Sequence, residues 1–176
     1  DFGIVQFDLN SLEFGDTYFI GNVGAEISVQ QTTVFGGNIY AATKNNGIRV
    51  APVNHPNLIN YAVWNEIQFG WFVGISSVGN MLIAADVNGG MQKFNGANFQ
   101  FFQNAGGAIL DLRSVENYVV STTDTKIQIF NNLGVVVQTI EANIVDEFDI
   151  KFTCATVIGT NIYAGTRENG IIIFPI

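Results

Sequence analysis

The chain is short of the groups that carry chemistry. Its 176 residues include one histidine, His55, so a dyad or triad built on imidazole has a single candidate. That candidate stands between Asn54 and Pro56, two turn-forming residues, and reads as part of a loop rather than as a general base. The one cysteine, Cys154, excludes an internal disulfide, and its place in the apolar stretch FTCATVI makes it a small core residue. HExxH, paired CxxC, GxSxG and the Walker loop are all missing, so the sequence predicts no catalytic residue, no cofactor and no metal site. Positive charge is scarce as well. Seven Lys and Arg against 15 Asp and Glu leave a net charge of −8, which repels phosphate backbones and anionic lipid surfaces and argues against nucleic-acid binding. No apolar run approaches the roughly 18 residues of a membrane span. No basic start followed by an apolar stretch marks a signal peptide, which is also what a chain without its leader, or a piece of a longer one, would show.

What is present is apolar and repetitive. Hydrophobic residues make up 48% of the chain and charged ones 12%, enough material for the core of one globular domain. The stretch NIYAATKNNGIRV at 38–50 returns as NIYAGTRENGIIIF at 161–174, with weaker copies in GNMLIAADVNGGMQKF at 79–94 and ENYVVSTTDTKIQIF at 116–130. GIVQF at 3–7 matches only the second half of the unit. The position before the second apolar run is Gly3, Gly47, Gly90, Lys126 and Gly170, at spacings of 44, 43, 36 and 44 residues, a period of propeller blades.

Each copy has the pattern of a β-hairpin. Runs of four to seven residues rich in Val, Ile, Tyr, Phe and Thr, broken by Gly and Asn, suit strands and not helices. In NIYAAT, Ile39 and Ala41 point to one side and Tyr40 and Ala42 to the other, so the strand is apolar on both faces and must be covered on both. Blades stacked face to face do this. The pairs Asn46-Gly47 and Asn169-Gly170 are expected to form tight two-residue turns with positive φ. Ala41, Ala42, Ala84, Ala85, Ala164 and Gly165 recur at one level, where converging blades leave little room.

The expected fold is an all-β propeller of about four four-stranded blades, an incomplete segment of a larger ring of the seven-bladed type. Residues 1–20 form a partial blade, 27–69, 71–103 and 107–141 complete blades, and 149–176 a blade without its outer strand. The chain then begins on a third strand instead of supplying a missing fourth, so the ring does not close on itself, and its open blade edges invite self-association.

The stretches DFGIVQFDL, EFGDTYFIG and the recurring NIYAAT…GI resemble the first propeller of the PorZ family, cell-surface components of the type IX secretion system in Bacteroidota. The likeness runs through nearly the whole chain, and GDTYFIG at 15–21 is its most specific part. It lacks the start of that propeller, the second propeller and the C-terminal sorting domain. The resemblance implies an exported protein of the cell surface or periplasm, an adaptor working beside a sortase in an attachment complex, with anionic lipopolysaccharide as a further ligand. It transfers no catalytic residues. A ligand-sensing propeller of a hybrid two-component regulator shares the repeat pattern and is the alternative reading. A polysaccharide-acting propeller enzyme is the second.

Basic residues near the hairpin turns are the candidate ligand-facing positions: Lys44, Arg49, Lys93 and Arg167. With the field of the whole molecule opposing an anion, any glycan contact has to be local, and protein docking is the simpler expectation. Trp64, Trp71, Phe99, Phe101 and Phe102 offer either packing between blades or an exposed aromatic face for a sugar or a protein. Asp86 to Gly90 has alternating oxygen side chains before a glycine, as calcium loops do, but no distal bidentate Glu. The cluster Asp146, Glu147 and Asp149 reads as a solvated connection or a second calcium candidate.

Overall fold

A computed structural model describes residues 3–144 and 149–176. The chain divides into two compact units, one ending at Phe72 and one beginning at Val73. Among the described residues helix is limited to three single 3-10 turns, Asn22–Gly24, Tyr61–Val63 and Ala142–Ile144. Everything else with regular structure is strand.

The first unit holds two sheets. A hairpin of β1 (Ile4–Asp8) and β2 (Glu13–Tyr18) forms the first. The second is a four-stranded meander of β3 (Val29–Phe35), β4 (Asn38–Thr43), β5 (Ile48–Pro52) and β6 (Asn65–Gln68), neighbours in chain order. The second unit carries a third sheet of β7 (Phe72–Val78), β8 (Met81–Asp86), β9 (Gly90–Phe94) and β10 (Phe99–Asn104), which starts at the boundary. Its fourth sheet is β11 (Asp111–Val115), β12 (Tyr118–Thr122), β13 (Lys126–Asn131) and β14 (Val136–Glu141). The fifth has three strands, β15 (Phe152–Ile158), β16 (Asn161–Thr166) and β17 (Ile171–Pro175). Pairing is antiparallel within each sheet, and β1 and β17 lie in different sheets. This is the all-β, blade-by-blade architecture that the repeat implies, with the sheets left open.

The apolar-on-both-faces strands explain the packing. Ile4 and Tyr18 of the first sheet meet Val29, Ile39, Ala41 and Ala51 of the second, with Trp64 closing the cluster. Ile83, Ala85 and Met91 of the third sheet meet Leu112, Val119 and Phe130 of the fourth. Val120, Ile127 and Ile129, on the opposite side of the fourth sheet, meet Ala155, Val157, Ile162 and Ala164 of the fifth. Val119 and Val120 are adjacent on β12, fully buried, and belong to different clusters. The fourth sheet thus has a leading face, set against the fifth sheet, and a trailing face, set against the third, and the same two terms name the corresponding sides of the other sheets. Fully burying a Val, Leu, Ile or Phe stabilises by about 1.5–3 kcal/mol, so a sheet covered twice gains twice.

The repeat extends to irregularities. On β3 and on β15 a bulge falls at the same place, between Val29 and Gln31 and between Phe152 and Cys154, facing the end of the second strand. The turn after that strand departs from the two-residue form expected of Asn-Gly. It spans four residues, 44–47 or 167–170, and a threonine clasps it: Thr43 donates Oγ1–H to the Gly47 carbonyl at 2.7 Å and Thr166 to that of Gly170 at 2.9 Å. Gly47 and Gly170 do take the left-handed conformation (φ 70° and 69°), but Asn46 and Asn169 do not, and Asn45 (φ 66°) does. In the third sheet the left-handed residue is Gly89 (φ 83°) rather than the aligned Gly90. There the carboxylate of Asp86 accepts the N–H groups of Asn88 and Gly90 at 2.8 and 3.0 Å, taking the place of the threonine clasp.

One charged residue is built into the core. Arg49 on β5 pairs with Ala41 on β4, and its period-two position puts it on the trailing face beside Ala51. It is 3% exposed. Its guanidinium donates to Asn22 Oδ1 at 2.9 Å and to Glu66 Oε2 at 3.2 Å. The 3-10 turn at Asn22–Gly24 is thereby tied to β5 and β6.

Two stability measurements check this account. A Cβ at Gly47 would collide with the carbonyl oxygen of Gln68 on β6, whereas one at Gly170 meets no atom within 4 Å. Gly170→Val should therefore cost only the strain of the left-handed backbone, about 1–2 kcal/mol, and Gly47→Val distinctly more. Equal losses in denaturant titrations would remove the close approach of β6 from the explanation. Arg49→Ala should cost about 3 kcal/mol through lost stem packing and the broken polar contacts. Lys44→Ala, at the surface, should change stability by less than about 0.5 kcal/mol; comparable losses for the two would contradict the burial of Arg49.

Candidate functional site

Of the four basic positions singled out in the sequence, two leave the fold at the same place. Lys44 and Arg167 are the first residues of their turns, and each is fixed by an equivalent backbone bond, Lys44 N–H to Ser28 O at 2.9 Å and Arg167 N–H to Lys151 O at 2.8 Å. Both side chains are exposed. The other two lie in strands instead of turns. Arg49 is buried and committed to Asn22 and Glu66, which removes it from any ligand face. Lys93, on β9, donates its ammonium to the carbonyl of Leu133 at 3.0 Å and joins the third sheet to the β13–β14 turn.

Around Lys44 the first unit assembles a small amphipathic corner. The ammonium lies 5.1 Å from the centre of the Trp71 ring, a cation–π contact, and Phe69, two residues before the tryptophan, is largely exposed. The chain bends between them at Gly70, whose carbonyl accepts the Gly47 N–H at 2.8 Å. A cation, an indole and a bare phenyl ring thus sit at one end of the second sheet. Such a corner can hold a peptide side chain or the face of a sugar.

The surroundings of Arg167 differ. It shares a recess of about 210 Å³ with Asp149, Lys151, Glu168 and Asn169, and two carboxylates beside one arginine and one lysine do not make an anion site. Asp149 is exposed and lies 3.8 Å from Lys151. Asp146 and Glu147, the rest of that acidic cluster, fall outside the described residues. At Asp86 the carboxylate is used by the turn itself, so the calcium-loop likeness of its sequence has a local explanation in backbone hydrogen bonding. Among the described residues no three His, Cys, Asp or Glu side chains gather into a metal-binding group.

The remaining candidates divide by exposure. Trp64 is buried, donates its indole N–H to the Leu58 carbonyl at 2.9 Å and stacks near Tyr18, while burial raises the Tyr18 phenol above its ordinary pKa. Phe99 is buried against Phe94, and Phe102 packs on Phe130. Only Trp71 and Phe101 of the five aromatic candidates present an open ring. His55 is half-buried, and its Nδ1 accepts the N–H of Asn57 at 3.1 Å, a turn-holding role. Cys154 is half-buried, not a core residue, because alternation along β15 puts it with Thr156 and Ile158 on the side of the fifth sheet opposite to the packed Ala155 and Val157. There it lines a shallow, mostly apolar cavity of about 180 Å³ with Arg113, Tyr163 and Ile171. Arg113 is held above its ordinary pKa by its hydrogen bond to Asp111 at 2.7 Å.

The pairing of Lys44 with Trp71 had no signal in the sequence, since turn and strand end meet only after folding. The burial of Arg49 did have one: alternation along IRVA puts it on the side of Ala51, which belongs to the core.

No protein-family model matches the chain, and no curated protein matches it. Solved structures do. The chain is similar to PorZ of Porphyromonas gingivalis, described as an essential bacterial surface component of the type-IX secretion system, with a TM-score of 0.76 and 11% identity over 99% of this chain and 22% of that one. It is similar to BBS1N in a complex with ARL6DN, with a TM-score of 0.66 and 10% identity over 95% of this chain and 56% of that one. It is also similar to BamB from Moraxella catarrhalis, with a TM-score of 0.57 and 13% identity over 89% and 46% of the two chains. The chain spans about a fifth of the PorZ structure and about half of the other two. At these identities the likeness is one of fold. No helix among the described residues is long and apolar enough to cross a membrane. The chain has the all-β, propeller-type fold that its repeats imply.

Proposed function

We propose that this chain is a non-catalytic docking module of an exported surface protein linked to type IX secretion, an adaptor that holds a component of a sortase or attachment complex. The observation that carries the reading is the similarity in fold to PorZ, which extends over 99% of the chain although only 11% of residues are identical. The resemblance of GDTYFIG and the surrounding stretches to the same family supports it from the sequence side. Protein docking fits the propeller-type neighbours in general, one of which is described in a complex with another protein. The corner of Lys44, Phe69 and Trp71 is the surface assigned to the partner, because its apolar and cationic groups are exposed and the fold leaves them free to meet one. An anionic lipopolysaccharide would be a secondary ligand, met locally at Lys44 against the net charge of −8.

Capture from solubilised envelopes of a bacterium that secretes by the type IX route tests the assignment. The immobilised chain is expected to enrich a sortase or another attachment-complex component, and Lys44→Glu with Trp71→Ala should reduce the yield at least tenfold without changing the melting temperature. Enrichment of a histidine kinase or response regulator would move the chain to the sensor class. Equal capture by the double variant would remove the corner from the proposal.

A further inference from the structure

The chain contains four Asn-Gly pairs, Asn46-Gly47, Asn88-Gly89, Asn95-Gly96 and Asn169-Gly170. Such a pair carries a reaction of its own. The backbone nitrogen of the glycine is a nucleophile, the side-chain amide carbon of the asparagine is an electrophile within reach of it, and glycine has no side chain to keep the two apart. Ring closure to a succinimide is the chemistry behind the thermolability of asparagine.

Folding treats the four pairs differently. The Gly47 N–H is given to the Gly70 carbonyl at 2.8 Å and the Gly89 N–H to that of Asp86 at 3.1 Å. The Asn46 amide is also turned back, donating from Nδ2 to the Lys44 carbonyl at 3.1 Å. In these two pairs the nitrogen reacts only if its turn opens.

The β9–β10 turn leaves its nucleophile free. Residues 95–98 are exposed, and the bond that closes the turn runs from Asn95 N–H to the Asn98 carbonyl at 3.1 Å, so the Gly96 N–H has no acceptor among the described residues. Gly96 has φ 99°, and a Cβ there would meet no atom within 4 Å, which leaves room around the nitrogen. The electrophile is held as well. Asn95 Oδ1 accepts the N–H groups of Ala97 and Asn98, both at 3.0 Å. These donors draw electron density from the amide carbon and stand where negative charge gathers when the nitrogen attacks it, as the donors of an oxyanion hole do. Asn169 lacks this support: its own N–H is given to Thr166 Oγ1 at 2.9 Å, and among the described residues no backbone N–H reaches its side-chain oxygen.

We propose that Asn95 is a modification site, the position at which this chain deamidates. The Gly96 nitrogen loses its proton to water and bonds to Asn95 Cγ; the Cγ–Nδ2 bond then breaks, and the nitrogen leaves as ammonia with a proton taken from water. A second water opens the ring at either carbonyl, to aspartate or to isoaspartate, with no change of oxidation state. Either product adds a negative charge to a chain already at −8. Isoaspartate also lengthens the main chain by one methylene next to the contact of Phe94 with the buried Phe99, whose rings lie 5.1 Å apart. Charge and geometry of the hairpin change together.

Peptide mapping by mass spectrometry, on the folded chain kept in mildly alkaline buffer, follows all four asparagines at once, and isoaspartate marks passage through the ring. Asn95 should convert at least about tenfold faster than Asn46 and Asn88, and ahead of Asn169. In strong denaturant, where the turn bonds are gone, that lead should vanish. Ala97→Pro, which removes one of the two donors, should slow conversion of Asn95 severalfold and leave Asn169 unchanged, with circular dichroism checking the fold. Similar rates for the four in the folded chain, another asparagine converting first, or a lead that persists in denaturant would overturn the proposal, as would an unchanged Asn95 rate in a folded Ala97→Pro chain. Should that variant not fold, the comparison of native with denatured chain decides by itself.

Discussion

A strand with apolar side chains on both faces cannot rest against one neighbour and water. This constraint governs the chain more than any hydrogen bond or ion pair in it. Val119 and Val120 state it in two consecutive residues, one buried toward the third sheet and the other toward the fifth. Once every sheet must be covered twice, the economical solution is a series of similar sheets, each lending a face to the next. Small residues at Ala41, Ala84 and Ala164 let backbones come close, and bulky ones such as Phe130 and Phe152 fill the wider gaps.

The all-β repeat was legible because its signals are local. Alternation in NIYAAT, the glycines before the third strands and the small pair before the threonine can each be read within a dozen residues. Turn conformation was less legible. Asn-Gly suggested a two-residue turn, but Thr43 and Thr166 reach the glycine carbonyl and stretch the loop to four residues, with the extra left-handed residue falling on Asn45 in the first case. Side-chain competition for backbone groups outweighed the dipeptide preference.

The candidate site was legible only in part, because charge type does not reveal depth. Lys44, Arg49, Lys93 and Arg167 look alike in sequence, yet their surroundings separate them into a cation over an indole, a buried tie, a strap from a strand to a neighbouring turn and a member of a mixed-charge recess. Glu66 and Asn22, which decide the fate of Arg49, lie 17 and 27 residues away along the chain. The tryptophans tell the same story: Trp64 closes a core and Trp71 stays at the surface.

Cys154 on β15 pairs with Gly165 on β16, and a Cβ on that glycine would stand 2.8 Å from the sulfur. In the first complete copy of the repeat the matching position is Ala42. Residues 154 and 165 therefore form one steric unit with a fixed shared volume, and drift at either is conditional on the other. An alanine at 165 requires the thiol to turn aside or to give way to something smaller, so the order in which two such substitutions arise decides how much the intermediate chain must adjust. In a repeat protein this makes the otherwise interchangeable copies diverge in pairs of positions instead of one residue at a time.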